Sequence, residues 1–144
     1  MTDLAEQLIG EEEGRDPCVF PDSRGYQTIA IGCLVDRRFK GAGLCDAAIT
    51  AQFAHDSMTA RAIAGGWPKF TTMSDIRQAV CISMAFQLSN KPRGWPQFMA
   101  ALAMSDYVAA AVAGLDTEWA NTQTPKRAKR EMDMLRTNLW IPHQ

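Results

Sequence analysis

The hydrophobic and polar positions at the start of the chain follow the period of an amphipathic helix. Leu4 and Leu8 belong to one apolar stripe, because residues four apart share a helix face. Asp3, with a glutamate three residues later, is typical of a capping box. Gly14 is the residue type that commonly ends a helix. The pattern predicts a helix over about residues 3–13.

After Pro17 the pattern changes to short β-type runs. Residues 18–20 and 26–35 are rich in strand-forming side chains, and the segment between them has the composition of a turn. In the second run, isoleucines alternate with small or polar residues, which is the two-residue period of a strand. These runs predict a β-hairpin, and residues 36–46 are expected to form a loop or another short hairpin.

The remainder of the chain has helical patterning. Thr50 is a possible N-cap of a long helix that ends at Gly65. Ser74 is the expected cap of a helix that runs to about residue 88 and is apolar on nearly every face, as in helices buried on all sides. Three shorter helices are expected to begin near Pro96, Ser105 and Thr124-Pro125.

Segregation of the β-type runs from the helices predicts an α+β fold, mostly helical. We expect a small N-terminal β-hairpin lobe over about residues 14–48 and a larger helical lobe from residues 1–13 and about 66–144. The helix over about residues 50–65 would connect them, with a cleft between the lobes. A chain of 144 residues has the size of a single domain.

Composition and charge exclude several classes of protein. With 47% hydrophobic and 22% charged residues, the chain is typical of a soluble globular protein rather than a disordered or collagen-like one. No apolar run approaches the roughly 20 residues of a membrane span, and the acidic N-terminus is unlike a signal peptide. We therefore expect synthesis in the cytoplasm and no stable membrane association.

The distribution of charge is more informative than its sum. The net charge of −1 argues against nucleic-acid binding through bulk charge. Residues 1–22 carry seven acids and one base, whereas residues 23–144 carry nine acids and fourteen bases. An acidic N-terminal segment therefore precedes a mildly basic body.

Motifs for nucleotide and metal chemistry are missing from the sequence. There is no P-loop and no dinucleotide-binding glycine motif. The cysteines are Cys18, Cys33, Cys45 and Cys81. They have no paired spacing, and only His55 and His143 add imidazoles, so we expect no metal site. Reduced thiols are the simplest interpretation, and two disulfides are an alternative.

Carboxylates are the remaining chemical resource, and one arrangement of them stands out. Glu13-Gly14 is followed by Asp22 in the predicted turn and by Gly25 and Thr28. This spacing resembles the active-site segment of the phage-type lysozymes, glycoside hydrolase family 24. Two positions depart from the family pattern: Cys33 replaces the usual histidine, and Ala30 replaces the first glycine of a Gly-x-Gly pair.

Two later stretches extend the resemblance to about half of the chain. The segment Ile76–Leu88, which ends in Phe86-Gln87, resembles the central buried helix of the family. The run from Gln123 to Arg130, Gln-Thr-Pro-Lys-Arg-Ala-Lys-Arg, resembles the C-terminal Gln-Thr-Pro-x-Arg-Ala-x-Arg run.

The resemblance implies a muramidase that cleaves the β-1,4 bond between N-acetylmuramic acid and N-acetylglucosamine in peptidoglycan, without a cofactor. Glu13 would be the general acid, and Asp22 with Thr28 would activate water on the opposite face of the sugar. Such an inverting mechanism predicts a separation of roughly 6.5–9.5 Å between the two carboxyls.

The resemblance also assigns four further residues. Leu34, Phe86 and Gln87 would contact the substrate, and Arg127 would lie near the acid and position it. The basic cluster around Arg127 is either a solvated helix face or a surface that attracts an anionic wall polymer. For Phe86, packing in the core is an equally reasonable interpretation.

Elementary chemistry is compatible with these roles but leaves one question open. Glycoside cleavage needs one protonated and one ionised carboxyl. Glu13 lies at the negative end of its predicted helix, beside Glu11 and Glu12, which favours a protonated carboxyl. Asp22 in a polar turn should stay ionised. Arg127 would favour ionisation of Glu13, so the balance at the acid is undecided from sequence.

Phage-mediated lysis of a bacterial host is the expected setting. A monomer of this length would contain the hydrolase alone, accumulate in the host cytoplasm and reach the wall after membrane permeabilisation. A virion-associated role is an alternative. So are a lysozyme-like module that binds peptidoglycan or a protein partner without hydrolysis, and a lytic transglycosylase, which needs an acid but no water-activating pair.

Overall fold

The computed structural model describes most of the chain. The backbone is described for residues 3–14, 16–21, 27–30, 33–34 and 46–143, and the side chains for residues 3–14 and 47–143. The predicted turn with Asp22, and most of the predicted loop over residues 36–46, lie outside the described residues.

Six α-helices account for most of the described chain. They are α1 (Leu4–Glu13), α2 (Asp46–Gly65), α3 (Asp75–Leu88), α4 (Pro96–Ala103), α5 (Tyr107–Leu115) and α6 (Pro125–Thr137). Short 3-10 helices occupy Phe70–Thr72 and Lys91–Gly94, and a π-helical turn occupies Trp119–Gln123. No helix in the described ranges has the length and apolar character needed to cross a membrane.

Three short strands follow α1. They are β1 (Asp16–Pro21), β2 (Gln27–Ala30) and β3 (Cys33–Leu34). They pair antiparallel in the order β1-β2-β3. Thr28 lies opposite Phe20 on one side and opposite Leu34 on the other.

The prediction of an α+β fold with an N-terminal β-hairpin lobe is wrong for the body of the molecule. Where side chains are described, 79% of residues are helical, and no strand or sheet is present there. The strands have only six, four and two residues, whereas the described core consists of helices packed on helices. The described core is therefore helical, because it is built from the apolar faces of helices and not from alternating strand residues.

Helix α3 is the centre of the core, as its pattern predicts. Residues 79–85 are all buried, and α3 packs against α1, α2 and α6. An apolar surface around the whole helix is what neighbours on every side require. Ser83 is the exception in this stretch, since it is a polar side chain with no exposure.

Local signals place most helix ends correctly. The Asp3 carboxylate accepts a hydrogen bond from the Ala5 amide at 2.9 Å, and Gly14 ends α1 at φ 70°. Ser74 caps α3. The predicted start of α2 at Thr50 is wrong by four residues, because the helix already begins at Asp46.

Candidate active site

The predicted acid lies at the end of a helix that is anchored in the core. Glu13 is the last residue of α1, and its side chain is 19% exposed. Leu8 and Ile9, on the inner face of α1, are fully buried. This anchoring fixes the carboxyl at a half-buried position beside α6, where solvent still reaches it.

The structure brings Glu13 and Arg127 together. Arg127 is the third residue of α6, and its Nη1 donates a hydrogen bond to Glu13 Oε1 in an ion pair. Pro125 occupies the first turn of α6, where its missing N–H costs nothing. The Arg127 side chain is only 7% exposed, so the charge it presents to Glu13 is little screened by water.

Two buried polar residues hold the other side of the Arg127 guanidinium. Arg127 Nε donates to Glu131 Oε1 at 2.9 Å, and Nη2 donates to Ser83 Oγ at 3.0 Å. Ser83 Oγ in turn donates to the same Glu131 oxygen at 2.7 Å. Glu13, Arg127, Glu131 and Ser83 form a continuous network, which we call the acid cluster.

Burial and charge act in opposite directions on the ionisation of the acid cluster. Burial by itself would lower the pKa of Arg127, but the charges of Glu131 and Glu13 raise it above its usual range, so the guanidinium stays charged. Burial raises the pKa of Glu131, against the lowering effects of the Arg127 charge and the Ser83 hydrogen bond. Glu131 is therefore the member of the cluster in which a charge is most costly.

Sequence reasoning missed Glu131 and Ser83, although each leaves a signal. Glu131 follows Arg127 by four residues, which places both on one face of α6. Ser83 is a polar residue in an otherwise apolar stretch of α3. Neither signal shows that the two side chains meet, because they lie 48 residues apart.

A second ion-pair group lies beside the acid cluster. Arg130 donates to Glu12 Oε1 at 2.6 Å, to Glu11 Oε2 at 2.5 Å and to the Ile141 carbonyl oxygen at 2.8 Å. Arg130, Glu11, Glu12 and Ile141 form what we call the outer cluster. It connects the end of α1 to α6 and to the C-terminal segment.

Both polar atoms of the Gln87 side-chain amide are hydrogen-bonded within the protein. Its Nε2 donates to Thr124 Oγ1 at 3.1 Å, and its Oε1 accepts from Trp119 Nε1 at 2.8 Å. These bonds join the end of α3 to the segment that precedes α6. Contact of Gln87 with substrate stays a prediction.

Phe86 lies half-buried at the end of α3. Its ring makes an edge-to-face contact with Phe53 of α2, with the ring centroids 6.1 Å apart. This contact shows a packing role for the side chain. The predicted contact of Phe86 with substrate stays a prediction.

The other predicted site residues are described in part or not at all. Asp22 lies outside the described residues. Thr28 is in β2 and Leu34 is in β3, where the two are paired, but their side chains lie outside the described set. The predicted separation of the Glu13 and Asp22 carboxyls therefore stays a prediction.

Cys81 and a surface cavity complete the surroundings of the two clusters. Cys81 is a buried free cysteine; Cys18, Cys33 and Cys45 have no described side chains.

A cavity of about 420 Å³ lies between α6 and the C-terminal segment and is lined mainly by charged side chains, among them Glu12 and Arg130. In residues 3–14 and 47–143, no group of three or more histidine, cysteine or acidic side chains is arranged to hold a metal ion.

In comparisons with known proteins, no family model and no curated protein matches the chain.

Proposed function

We propose that this protein is a muramidase that hydrolyses the β-1,4 bond between N-acetylmuramic acid and N-acetylglucosamine in peptidoglycan. Glu13 donates a proton to the leaving glycosidic oxygen. Asp22, with Thr28, activates a water molecule on the opposite face of the sugar, so the product has inverted configuration. The reaction needs no cofactor.

The observation that supports the proposal is the pairing of Glu13 with Arg127. These residues belong to the two stretches with the most specific resemblance to phage-type lysozymes, and they are 114 residues apart in the chain. The resemblance expects them to lie together. The partly buried ion pair between them supports the proposal because it agrees with this expectation.

The geometry around Glu13 suits a general acid. An acid catalyst has to hold a proton and reach its substrate. The Glu13 carboxyl is partly exposed, and its Oε1 is occupied by Arg127. In the described part of the chain the donor to the Glu13 carboxyl is Arg127, which contacts Oε1 and leaves Oε2 as the oxygen that would donate the proton.

The proposed setting is lysis of a bacterial host by a phage endolysin. A monomer would reach peptidoglycan after the membrane has been permeabilised. The basic residues of α6 would favour approach to an anionic wall polymer.

A reducing-end assay on purified peptidoglycan tests the proposal. Wild type should release reducing muramic acid, and Glu13→Gln and Asp22→Asn should each lose about 10²- to 10⁴-fold in rate, the contribution typical of general acid–base groups. Glu6→Gln is the matched control, because Glu6 lies in the first turn of the same helix, away from Arg127.

Three results would contradict the proposal in different ways. Products with 1,6-anhydro ends would indicate a lytic transglycosylase. Equal inactivity of wild type and both variants, with retained binding to wall fragments, would indicate a binding module. Retained anomeric configuration would exclude inversion and leave hydrolysis intact.

A further inference from the structure

The second half of α3 carries a hydroxyl and an amide side chain on one face. Residues 79–88 are mainly apolar, but they include Ser83 and Gln87, which share a helix face because they are four residues apart. Arg127 Nη2 donates to Ser83 Oγ at 3.0 Å. Gln87 Nε2 donates to Thr124 Oγ1 at 3.1 Å. Two contacts one helical turn apart on α3 therefore hold the beginning of α6.

The orientation of the Gln87 amide follows from its second partner. The indole of Trp119 is a donor only, so the Gln87 oxygen faces its Nε1 at 2.8 Å. Trp119 is 1% exposed and stacks on Trp95, with the ring centroids 6.1 Å apart. This buried partner fixes the oxygen of the amide and directs the nitrogen toward Thr124.

Thr124 uses its hydroxyl for this bond and not for a local cap. It is the N-cap of α6, a position where a threonine hydroxyl commonly accepts a hydrogen bond from an amide of the first turn. Among the described residues its side chain makes no such capping bond. The preceding turn, Trp119–Gln123, is π-helical, a rare form that often marks functional sites. The start of α6 is therefore fixed by a tertiary contact with α3.

The position of this first turn matters because Arg127 is the third residue of α6. We propose that Gln87 is a positioning residue, which holds the first turn of α6 on α3 so that Arg127 Nη1 faces Glu13. This inference rests on the proposed function of Glu13. It gives Gln87 a role that needs no contact with substrate, because both polar atoms of its amide are bonded within the protein.

The other contacts of the Arg127 guanidinium complement the contact at Gln87. Glu131 belongs to α6 itself, so its bond to Arg127 Nε at 2.9 Å moves with the helix. Ser83 supplies a contact from α3. One polar contact with α3 fixes a point on the first turn of α6, and the second contact, at Gln87, fixes the direction of that turn.

The test is the kinetics of peptidoglycan hydrolysis by variants at both ends of the bond between Gln87 and Thr124. Gln87→Met keeps the length of the side chain and removes both hydrogen bonds, and Thr124→Val keeps the shape and removes the acceptor. Both should lower kcat by about 10- to 100-fold and leave KM nearly unchanged, because a displacement of about 1 Å can cost about 10²-fold in rate. Thr124→Ser keeps the hydroxyl and should have a kcat close to that of wild type.

Thr122→Val is the matched control. Thr122 lies in the same π-helical turn, and its hydroxyl donates to the Glu118 carbonyl oxygen at 2.8 Å, within the same segment of chain. The substitution removes one hydroxyl from this turn without touching the bond to Gln87, so kcat should equal that of wild type.

A wild-type kcat in Thr124→Val would overturn the inference, and so would an equal loss in Thr122→Val or in Thr124→Ser. A raised KM in Gln87→Met, with Thr124→Val unaffected, would show that Gln87 binds substrate directly. Circular dichroism establishes whether each variant folds. If neither Gln87→Met nor Thr124→Val folds, hydrogen exchange of the Gln87 side-chain amide in wild type decides. Protection supports the inference, and rapid exchange overturns it.

The ¹⁵N NMR signal of the Arg127 Nε–H group separates the inference from the proposed function. If wild type does not cleave peptidoglycan, the proposed function fails, but the positioning of Arg127 can still be measured. A signal that moves in Thr124→Val and not in Thr122→Val supports positioning, and a signal that is the same in all three proteins overturns it.

Discussion

Two arginines three residues apart on α6 each bind two carboxylates, yet their surroundings differ. Arg127 in the acid cluster pairs with Glu13 and with Glu131, which is fully buried. Arg130 in the outer cluster pairs with Glu11, whose side chain is 27% exposed, and with Glu12, whose side chain is 5% exposed. In each cluster one carboxylate is partly exposed and the other is buried. The clusters differ at the buried carboxylate, because Glu131 has an oxygen without a hydrogen-bond partner among the described residues.

The largest effect is expected from Arg127→Ala. This change leaves Glu131 buried without its counter-charge, which should cost about 3–5 kcal/mol in the free energy of unfolding. Because burial raises the pKa of Glu131, the folded protein binds its proton more tightly than the unfolded chain does. The loss in the free energy of unfolding should therefore become smaller as the pH falls. This decrease should begin above about pH 4.3, the pKa of an exposed glutamate.

Urea unfolding of wild type and Arg127→Ala across a pH series measures this effect. The double variant Arg127→Ala with Glu131→Gln is the control, because it has no buried charge to protonate. If Arg127→Ala loses the same free energy of unfolding at every pH, an unpaired Glu131 charge is not the cause of the loss.

Arg130→Ala should have a smaller effect on stability. Glu11 keeps access to water, whereas Glu12 is buried and loses its partner. We expect a loss of about 1.5–3 kcal/mol, the range for broken hydrogen bonds to charged groups. The Glu13 pair with Arg127 remains, so the pH profile of peptidoglycan hydrolysis should keep its shape. A displaced alkaline limb in this variant would mean that the two clusters are not separate.

Glu11→Gln removes one charge from the outer cluster and should cost about 1 kcal/mol at neutral pH, because Glu11 is partly exposed and Arg130 keeps its pair with Glu12. Burial by itself would raise the pKa of Glu11, but hydrogen bonds from Gln7 and Arg130 and the Arg130 charge lower it. A lowered pKa means that the stabilisation is present at neutral pH and is lost as the pH falls through that pKa. Thermal unfolding should show the variant and wild type converging below about pH 4.

The smallest effect is the response of the two clusters to salt. Ions screen partly exposed charges more than buried ones. The stability difference between wild type and Glu11→Gln should therefore decrease in 1 M salt, where the Debye length is about 3 Å. The difference for Arg127→Ala should stay nearly constant. Equal salt sensitivity would remove the distinction between the clusters.

Helix boundaries were predictable because their signals are local. Asp3, Gly14 and Ser74 act within one turn of their own helix, through hydrogen bonds or backbone conformation. The start of α2 was missed because Thr50 is a good cap residue, yet the apolar Ile49 before it is buried in the helix. Burial of a side chain outweighs a local preference of this size.

The predicted fold class failed for a related reason. Alternating residues indicate strands, but the number of residues a pattern covers decides whether the strands make a layer of their own. Here β3 has two residues, and the described core consists of helices. Pattern alone does not distinguish a short sheet beside helices from a β lobe.

The sequence by itself determined the helices, their caps, the buried character of α3 and the pairing of Glu13 with Arg127 that the resemblance expects. Only the tertiary structure decided that Ser83 and Glu131 complete the acid cluster and that Arg130 is held by Glu11 and Glu12. The reason is physical. Helix periodicity and capping depend on residues within a few positions of one another, whereas burial, charge pairing and the cost of an unpaired carboxylate depend on which helices meet.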